Sequence, residues 1–179
     1  MIDRAQPDVA NFQMAAATFC RLLESTPSDK DTWAEQVLAV LSRLYACAHD
    51  LKPVDLDDAP DVPDSLDVTD AQWRDVIRVV DAALGKQRMY WSYFDPSEPM
   101  ESHQETVCGD LADDLADIYR DIKPGLRAWE SGEDAYLPSI VFSWKEPLFA
   151  SHWGVHAVSA MRALHPIASL RGIQEGHAG

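Results

Sequence analysis

The sequence predicts an all-α fold: an up-and-down bundle of five to seven helices with one long acidic, proline-containing loop. Three observations carry this expectation. Apolar residues recur at three- and four-residue steps along most of the chain, which is the period of one helical face. No stretch stands out as alternating with period two. Pro27, Pro53, Gly85 and Gly132 fall where periodic runs end, as helix breakers should.

The first run starts after Pro7, a residue favoured at the first helical position, and carries Val9, Phe12, Ala16, Phe19 and Leu23 as far as about Ser25. A second follows a cap near Ser28 or Asp29 and places Trp33, Val37, Val40, Leu41, Leu44 and Ala48 on one face. Between Leu51 and Asp70 three prolines lie among seven aspartates, so this stretch reads as a solvent-exposed loop. Thr69 and Gln72 then form a capping box before the stripe Trp73, Val76, Ile77, Val80 and Leu84. Met89 to Phe94 packs four aromatics together, and Asp95-Pro96 turns the chain.

The next stripe, Val107, Leu111, Leu115, Ile118 and Ile122, continues to Trp129, with a kink or break expected at Lys123 before Pro124. The last run extends from Pro138 to Leu164 as two helices joined near Glu146. Ala150, Gly154 and Ala157 are small enough to admit a second helix backbone. His165-Pro166 is expected to start the exit, and 172–179 to be a flexible tail. The chain, 1–179, thus reads as one helical domain with its core between about 8 and 168.

The 179 residues are 46% apolar and 25% charged, an ordinary globular composition. No signal peptide is readable and no apolar stretch approaches the roughly 20 residues of a membrane-spanning helix, so a cytoplasmic protein without membrane partners is expected. Cys20, Cys47 and Cys108 are odd in number and widely spaced, which reads as reduced, buried thiols and fits neither a disulfide framework nor paired zinc ligands.

The charge is the unusual quantity. Fifteen basic residues against thirty acidic ones leave −15, a field that repels nucleic acid and favours a cationic partner. It is concentrated in two regions. Leu51–Asp70 holds seven Asp and one Lys, and Asp95–Asp121 holds nine acids and one Arg. In the second, Asp110, Asp114, Asp117 and Asp121 form a helical stripe bordering the apolar one, placed to line a groove or face water.

Two constellations bear on metal chemistry. Asp113-Asp114-x-x-Asp117 has carboxylates at a spacing that shares a hard cation such as magnesium. His152 and His156 lie one turn apart, and His49 on the second helix is an available third ligand for a transition metal. The competing reading makes His156 a buried, hydrogen-bonded residue beside Phe149 and Trp153. No nucleophile elbow or phosphate loop is present. Cys108, flanked by acids, is a poor nucleophile.

Tyr93-Phe94-Asp95-Pro96, Leu111-Ala112-Asp113-Asp114-Leu115-Ala116-Asp117-Ile118-Tyr119-Arg120-Asp121-Ile122-Lys123 and His152-Trp153-Gly154 together resemble a bacterial family, domain of unknown function 5063. The resemblance covers about Asp8 to Pro166. It implies a small cytoplasmic helical protein, transfers no catalytic residues, and directs attention to Asp117, Tyr119, His152 and Trp153.

The expectation from sequence is therefore a helical module without catalysis or cofactor. It would bind a protein or small ligand through Tyr90, Trp91, Tyr93, Phe94 and Asp95, with Asp117, Tyr119, His152 and Trp153 as further surface candidates. The alternative is a metal-dependent hydrolase or transferase using His49, His152 and His156, or magnesium held by Asp114 and Asp117.

Overall fold

A computed structural model describes residues 2–56, 59–93 and 106–175. Helices dominate: α1 Pro7–Glu24, α2 Lys30–Asp50, α3 Asp70–Leu84, α4 Leu111–Glu130, α5 Leu137–Lys145, the single turn α6 Leu148–Ser151, and α7 Trp153–Glu175. Between α3 and α4 lies an antiparallel pair, β1 Met89–Tyr93 and β2 Thr106–Asp110, in which Trp91 faces Cys108 across the ladder. Helix α4 is the central element and packs against α1, α3, α5 and α7, while α2 closes the bundle against α1 and α7. Among the described residues no helix is long and apolar enough to cross a membrane.

Local signals account for the helix ends. Pro7 occupies the first turn of α1. Thr69 accepts from the Gln72 amide while the Gln72 side chain accepts from the Thr69 amide, closing the expected capping box. Gly85 ends α3 with a positive φ of 52°, a conformation that costs glycine little. Asp110, the last residue of β2, caps α4 through the Ala112 amide, so the strand pair runs directly into the central helix.

The core is built around two indoles. Trp144 and Trp153 are fully buried, stack near Phe12 at ring separations of 4.8 and 6.1 Å, and donate to the carbonyls of Ile122 and Trp144 respectively. Each removes about 200 Å² from water, on the order of 5 kcal/mol gross at about 25 cal/mol/Å². Gly125 makes room for one of them: a Cβ there would lie 2.5 Å from Trp144 Nε1.

The structure departs from the sequence expectation in several places. Met89–Ser92 alternates exposed and half-buried residues. That period is masked in hydropathy because the apolar Met89 and Trp91 are the exposed residues, while the half-buried ones are Tyr90 and Ser92. Tyr90 lies over Gly109, where any Cβ would collide with its ring; glycine thus permits the pairing. Val107 consequently belongs to β2, and the helical stripe begins at Leu111. Helix α4 passes through Pro124 without interruption because Ile122, Gly125, Leu126 and Ala128 beside it are all buried, and tertiary packing outweighs one lost backbone bond.

The final run breaks twice rather than once. Glu146–Pro147 separates α5 from α6, and His152, at φ −137° and ψ −87°, separates α6 from α7. Gly154 admits the backbone of Phe149 at that corner rather than a second long helix. Pro166 does not start an exit, since α7 continues to Glu175, and 176–179 lie outside the described residues. The acidic loop is tied down as well as exposed. Leu51 is buried, Val54, Val62, Leu66 and Val68 pack on the core, Ser139 donates to the Pro60 carbonyl, and Arg127 donates to those of Leu66 and Asp67.

Candidate metal centre

The aspartate stripe of α4 faces the histidines of α7, and the antiparallel packing of the two helices pairs them in reverse order. Asp121 Oδ2 lies 2.6 Å from His152 Nδ1, and Asp114 Oδ1 lies 2.8 Å from His156 Nδ1. An ionised carboxylate only accepts hydrogen bonds, so Nδ1 of each imidazole is the donor, and in the neutral form of the ring Nε2 then carries the lone pair. His156 Nε2 points to Asp117 Oδ2 at 3.8 Å. The two rings meet nearly edge to face, 4.8 Å apart. One donor atom from each of Asp117, His152 and His156 falls within 4.8 Å of the others.

These groups are held from behind. Trp73 of α3 donates to Asp117 Oδ1 at 2.9 Å, leaving Oδ2 toward the imidazoles, and Arg120 stacks over the Trp73 ring at 5.0 Å. Tyr90 of β1 donates to Asp114 Oδ2 at 2.6 Å, so both oxygens of that buried carboxylate are engaged. A cavity of about 360 Å³ along α4 meets this cluster at Asp121 and is not lined by Asp117, His152 or His156. Arg120, Asp121, Pro124, Ser143 and Leu148 line it, with Val62 and Val68 from the acidic loop.

The electrostatics are those of crowded carboxylates. Burial, then the neighbouring Asp117 and Asp114, push Asp113 above the usual carboxylate range. Burial raises Asp121 too, against the opposing pull of its bond to His152. The hydrogen bond to Asp114 raises His156, with burial opposing it. Tyr90 is raised by burial and then by Asp114. Four aspartates within three helical turns are thus met by two imidazoles at their inner edge.

Of the residues singled out by sequence, Asp117, His152 and His156 come together. His49 does not join them: it is exposed and packs edge-on against Phe149 and Tyr45 at 5.0 and 5.2 Å. His156 is half-buried rather than enclosed with Phe149 and Trp153. In the Asp113-Asp114-x-x-Asp117 set, Asp114 already holds one donor on each oxygen, Tyr90 and His156, which leaves it fewer lone pairs for an all-carboxylate magnesium arrangement. Trp153 is fully buried, and Tyr119 is buried with its hydroxyl on Glu24. Neither is a surface for a partner, because both side chains belong to the core faces of their helices.

Trp91 is 70% exposed and Met89 46% exposed, while Tyr90 turns inward. Tyr93 is placed by its backbone as the end of β1, and Phe94 and Asp95 lie outside the described residues. Cys20 and Cys47 are buried as expected, whereas Cys108 is exposed because it sits on β2 opposite Trp91. Sequence reasoning placed Trp73 in a core stripe and did not assign Asp114 and Asp121 to the histidines. The signal that could have found them is the common helical period of the Asp stripe and the His pair.

Comparison with known proteins agrees with this architecture. The solved structure of protein BF1032 from Bacteroides fragilis is similar, with a TM-score of 0.76 and 25% sequence identity over 92% of this chain and 94% of that one. No curated protein matches the chain. The model of the family described as domain of unknown function (DUF5063) matches residues 4–169. With the match spanning the whole helical core, the chain belongs to the DUF5063 family.

Proposed function

We propose that the protein binds a first-row divalent transition metal between α4 and α7, using His152 Nε2, His156 Nε2 and one oxygen of Asp117. The observation that carries this reading is the pair of carboxylates, Asp121 and Asp114, on the two Nδ1 atoms. Metal-binding histidines use such partners to fix tautomer and orientation and to raise ligand basicity. Two imidazoles and a carboxylate suit zinc, manganese, iron or nickel better than magnesium, which prefers oxygen alone. Bonds of about 2 Å in tetrahedral geometry bring donors to about 3.3 Å from one another. The present spread of up to 4.8 Å is wider than that, so binding requires the three side chains to draw together.

Three protein ligands leave coordination positions for water and a substrate or ligand, the pattern of reactive rather than structural metal sites. The cavity along α4 reaches Asp121, the partner of His152, and has room for a small molecule there. The reaction class that fits is metal-assisted activation of water. The test is metal analysis of protein purified without chelators, followed by zinc and manganese titration of wild type and of His152→Ala, His156→Ala and Asp117→Ala. About one ion per chain in wild type, and loss of binding in the variants, is expected. Wild-type protein that takes up no zinc, manganese, iron, cobalt or nickel at micromolar concentration would falsify it.

A second reading rests on Trp91. An indole 70% exposed next to Met89 on the same face of β1 is the kind of anchor that interfaces use. In this reading the hairpin meets a partner whose positive charge complements the acidic chain. Trp91→Ala would abolish capture of that partner without altering metal content.

A further inference from the structure

We infer that Tyr90 is a positioning residue of the metal centre, acting on His156 through Asp114, and that the β1–β2 hairpin is ordered by the metal in return. This deepens the metal-binding reading and rests on it. The chain of contacts is continuous: Tyr90 Oη donates to Asp114 Oδ2 at 2.6 Å, and Asp114 Oδ1 receives His156 Nδ1 at 2.8 Å. His156 Nε2 then faces Asp117. Asp114 is buried, with the phenol on one carboxylate oxygen and the imidazole on the other, so the phenol sets the carboxylate plane and with it the imidazole.

The hairpin is built to deliver that hydroxyl. Tyr90 is the inward residue of β1, and its ring lies on Gly109 of β2, where a side chain would displace it. Asp110 joins β2 to the first turn of α4, so the strand pair and the helix carrying Asp114 and Asp117 are contiguous. Arg162 of α7 donates to the Trp91 carbonyl, and Arg88 pairs with Asp81 and Asp110. The hairpin therefore touches both helices that supply metal ligands, while Met89 and Trp91 face outward.

Coupling of this kind is reciprocal: the factor by which Tyr90 strengthens metal binding is the factor by which metal strengthens the Tyr90–Asp114 link. Removing a group that supports a metal-bound histidine typically weakens metal affinity about 10- to 100-fold. One step further out, a loss of about 3- to 10-fold is expected for Tyr90→Phe. The exposed face of the hairpin then becomes a surface whose order reports the metal.

The experiment is cobalt(II) and zinc(II) titration of the full chain, as wild type, Tyr90→Phe, Gly109→Ala and the exposed-strand control Thr106→Ala, with hydrogen exchange on each protein with and without zinc. Tyr90→Phe and Gly109→Ala should weaken both metals and alter the cobalt visible spectrum, while Thr106→Ala matches wild type. Zinc should slow exchange in residues 89–93 and 106–110 of wild type and do so less in Tyr90→Phe. If Tyr90→Phe already exchanges fast in the hairpin without metal, Gly109→Ala, which keeps the hydroxyl, decides. Equal affinities and equal zinc protection in wild type and both variants overturn the inference and leave the metal site standing. Absence of metal binding in wild type overturns both.

Discussion

Replacing Asp114 by Asn separates a charge effect from a shape effect, because the two side chains are nearly isosteric. Asp114 accepts from Tyr90 and from His156. Asn retains one acceptor, which can serve His156, and its amide can donate to the Tyr90 oxygen. What is lost is the anion. The bond to Asp114 raises His156 above its ordinary 6.5, so the folded state holds that proton more tightly than the unfolded chain does. A raised pKa of this kind contributes stability in full below about 6.5 and loses it as pH rises through the folded value. A hydrogen bond to a charged group contributes about 1.5–3 kcal/mol. The His156 side chain is 25% exposed, and discounting for solvent leaves about 1 kcal/mol. For a domain of this size that is a fall in Tm of about 3 °C at about pH 6. At about pH 9 the imidazole carries less of its charge than at about pH 6, and the variant no longer carries the repulsion between Asp114 and Asp113 or Asp117, so the difference should shrink. The assay is thermal unfolding of metal-free protein by circular dichroism at both pH values. An equal drop at each would show that Asp114 acts by packing and that the charge reasoning is wrong.

Gly125→Ala sets helix propensity against packing. Alanine gains about 1 kcal/mol in a helix, but its Cβ would lie 2.5 Å from Trp144 Nε1, and overpacking with loss of the indole's bond to the Ile122 carbonyl costs about 3 kcal/mol. Net destabilisation of about 2 kcal/mol, a Tm about 6 °C lower, is expected by calorimetry; an unchanged or higher Tm would place the glycine outside any packing role. Zinc affinity should fall as pH drops below the raised value of His156, since the proton and the metal compete for the imidazole, and a titration series flat from about pH 8 to about pH 5 contradicts the ligand assignment. Trp73→Phe removes the donor to Asp117 Oδ1, and a zinc affinity about 10-fold weaker is expected by competition with a chromophoric chelator.

The long helices are legible in the sequence because their signals are local and mutually consistent. The Thr69–Gln72 box, Pro7 at the start of α1 and the apolar stripe of α4 each act over one or two turns. The hairpin is illegible for a physical reason. Its two faces carry Met89 and Trp91 on one side and Tyr90 on the other, so hydropathy does not alternate even though exposure does. Pro124 misleads in the opposite sense, because the burial around it is a tertiary fact. Half of the proposed metal centre shows in the spacing of His152 and His156. The proposed third ligand does not, because choosing between His49 and Asp117 requires knowing that α7 runs antiparallel to α4 with Asp121 opposite His152 and Asp114 opposite His156.

The two acidic regions, similar in sequence, differ in what their charge costs the fold. In the loop, Arg127 reaches the carbonyls of Leu66 and Asp67, and Asp61, Asp64 and Asp67 stand in solvent, where water screens them. On α4 burial first, and repulsion from neighbouring carboxylates after it, raises Asp113 and Asp121. A folded state that raises two carboxyls and one imidazole binds more protons than the unfolded chain, so the metal-free protein should gain stability as pH falls from neutral. A divalent cation relieves the same repulsion without protons and, at a concentration of 100 times its Kd, adds about 2.7 kcal/mol. In the proposed metal-binding reading the acidic stripe costs stability in the metal-free protein and recovers it with the cation, which distinguishes it from the solvated charge of the loop.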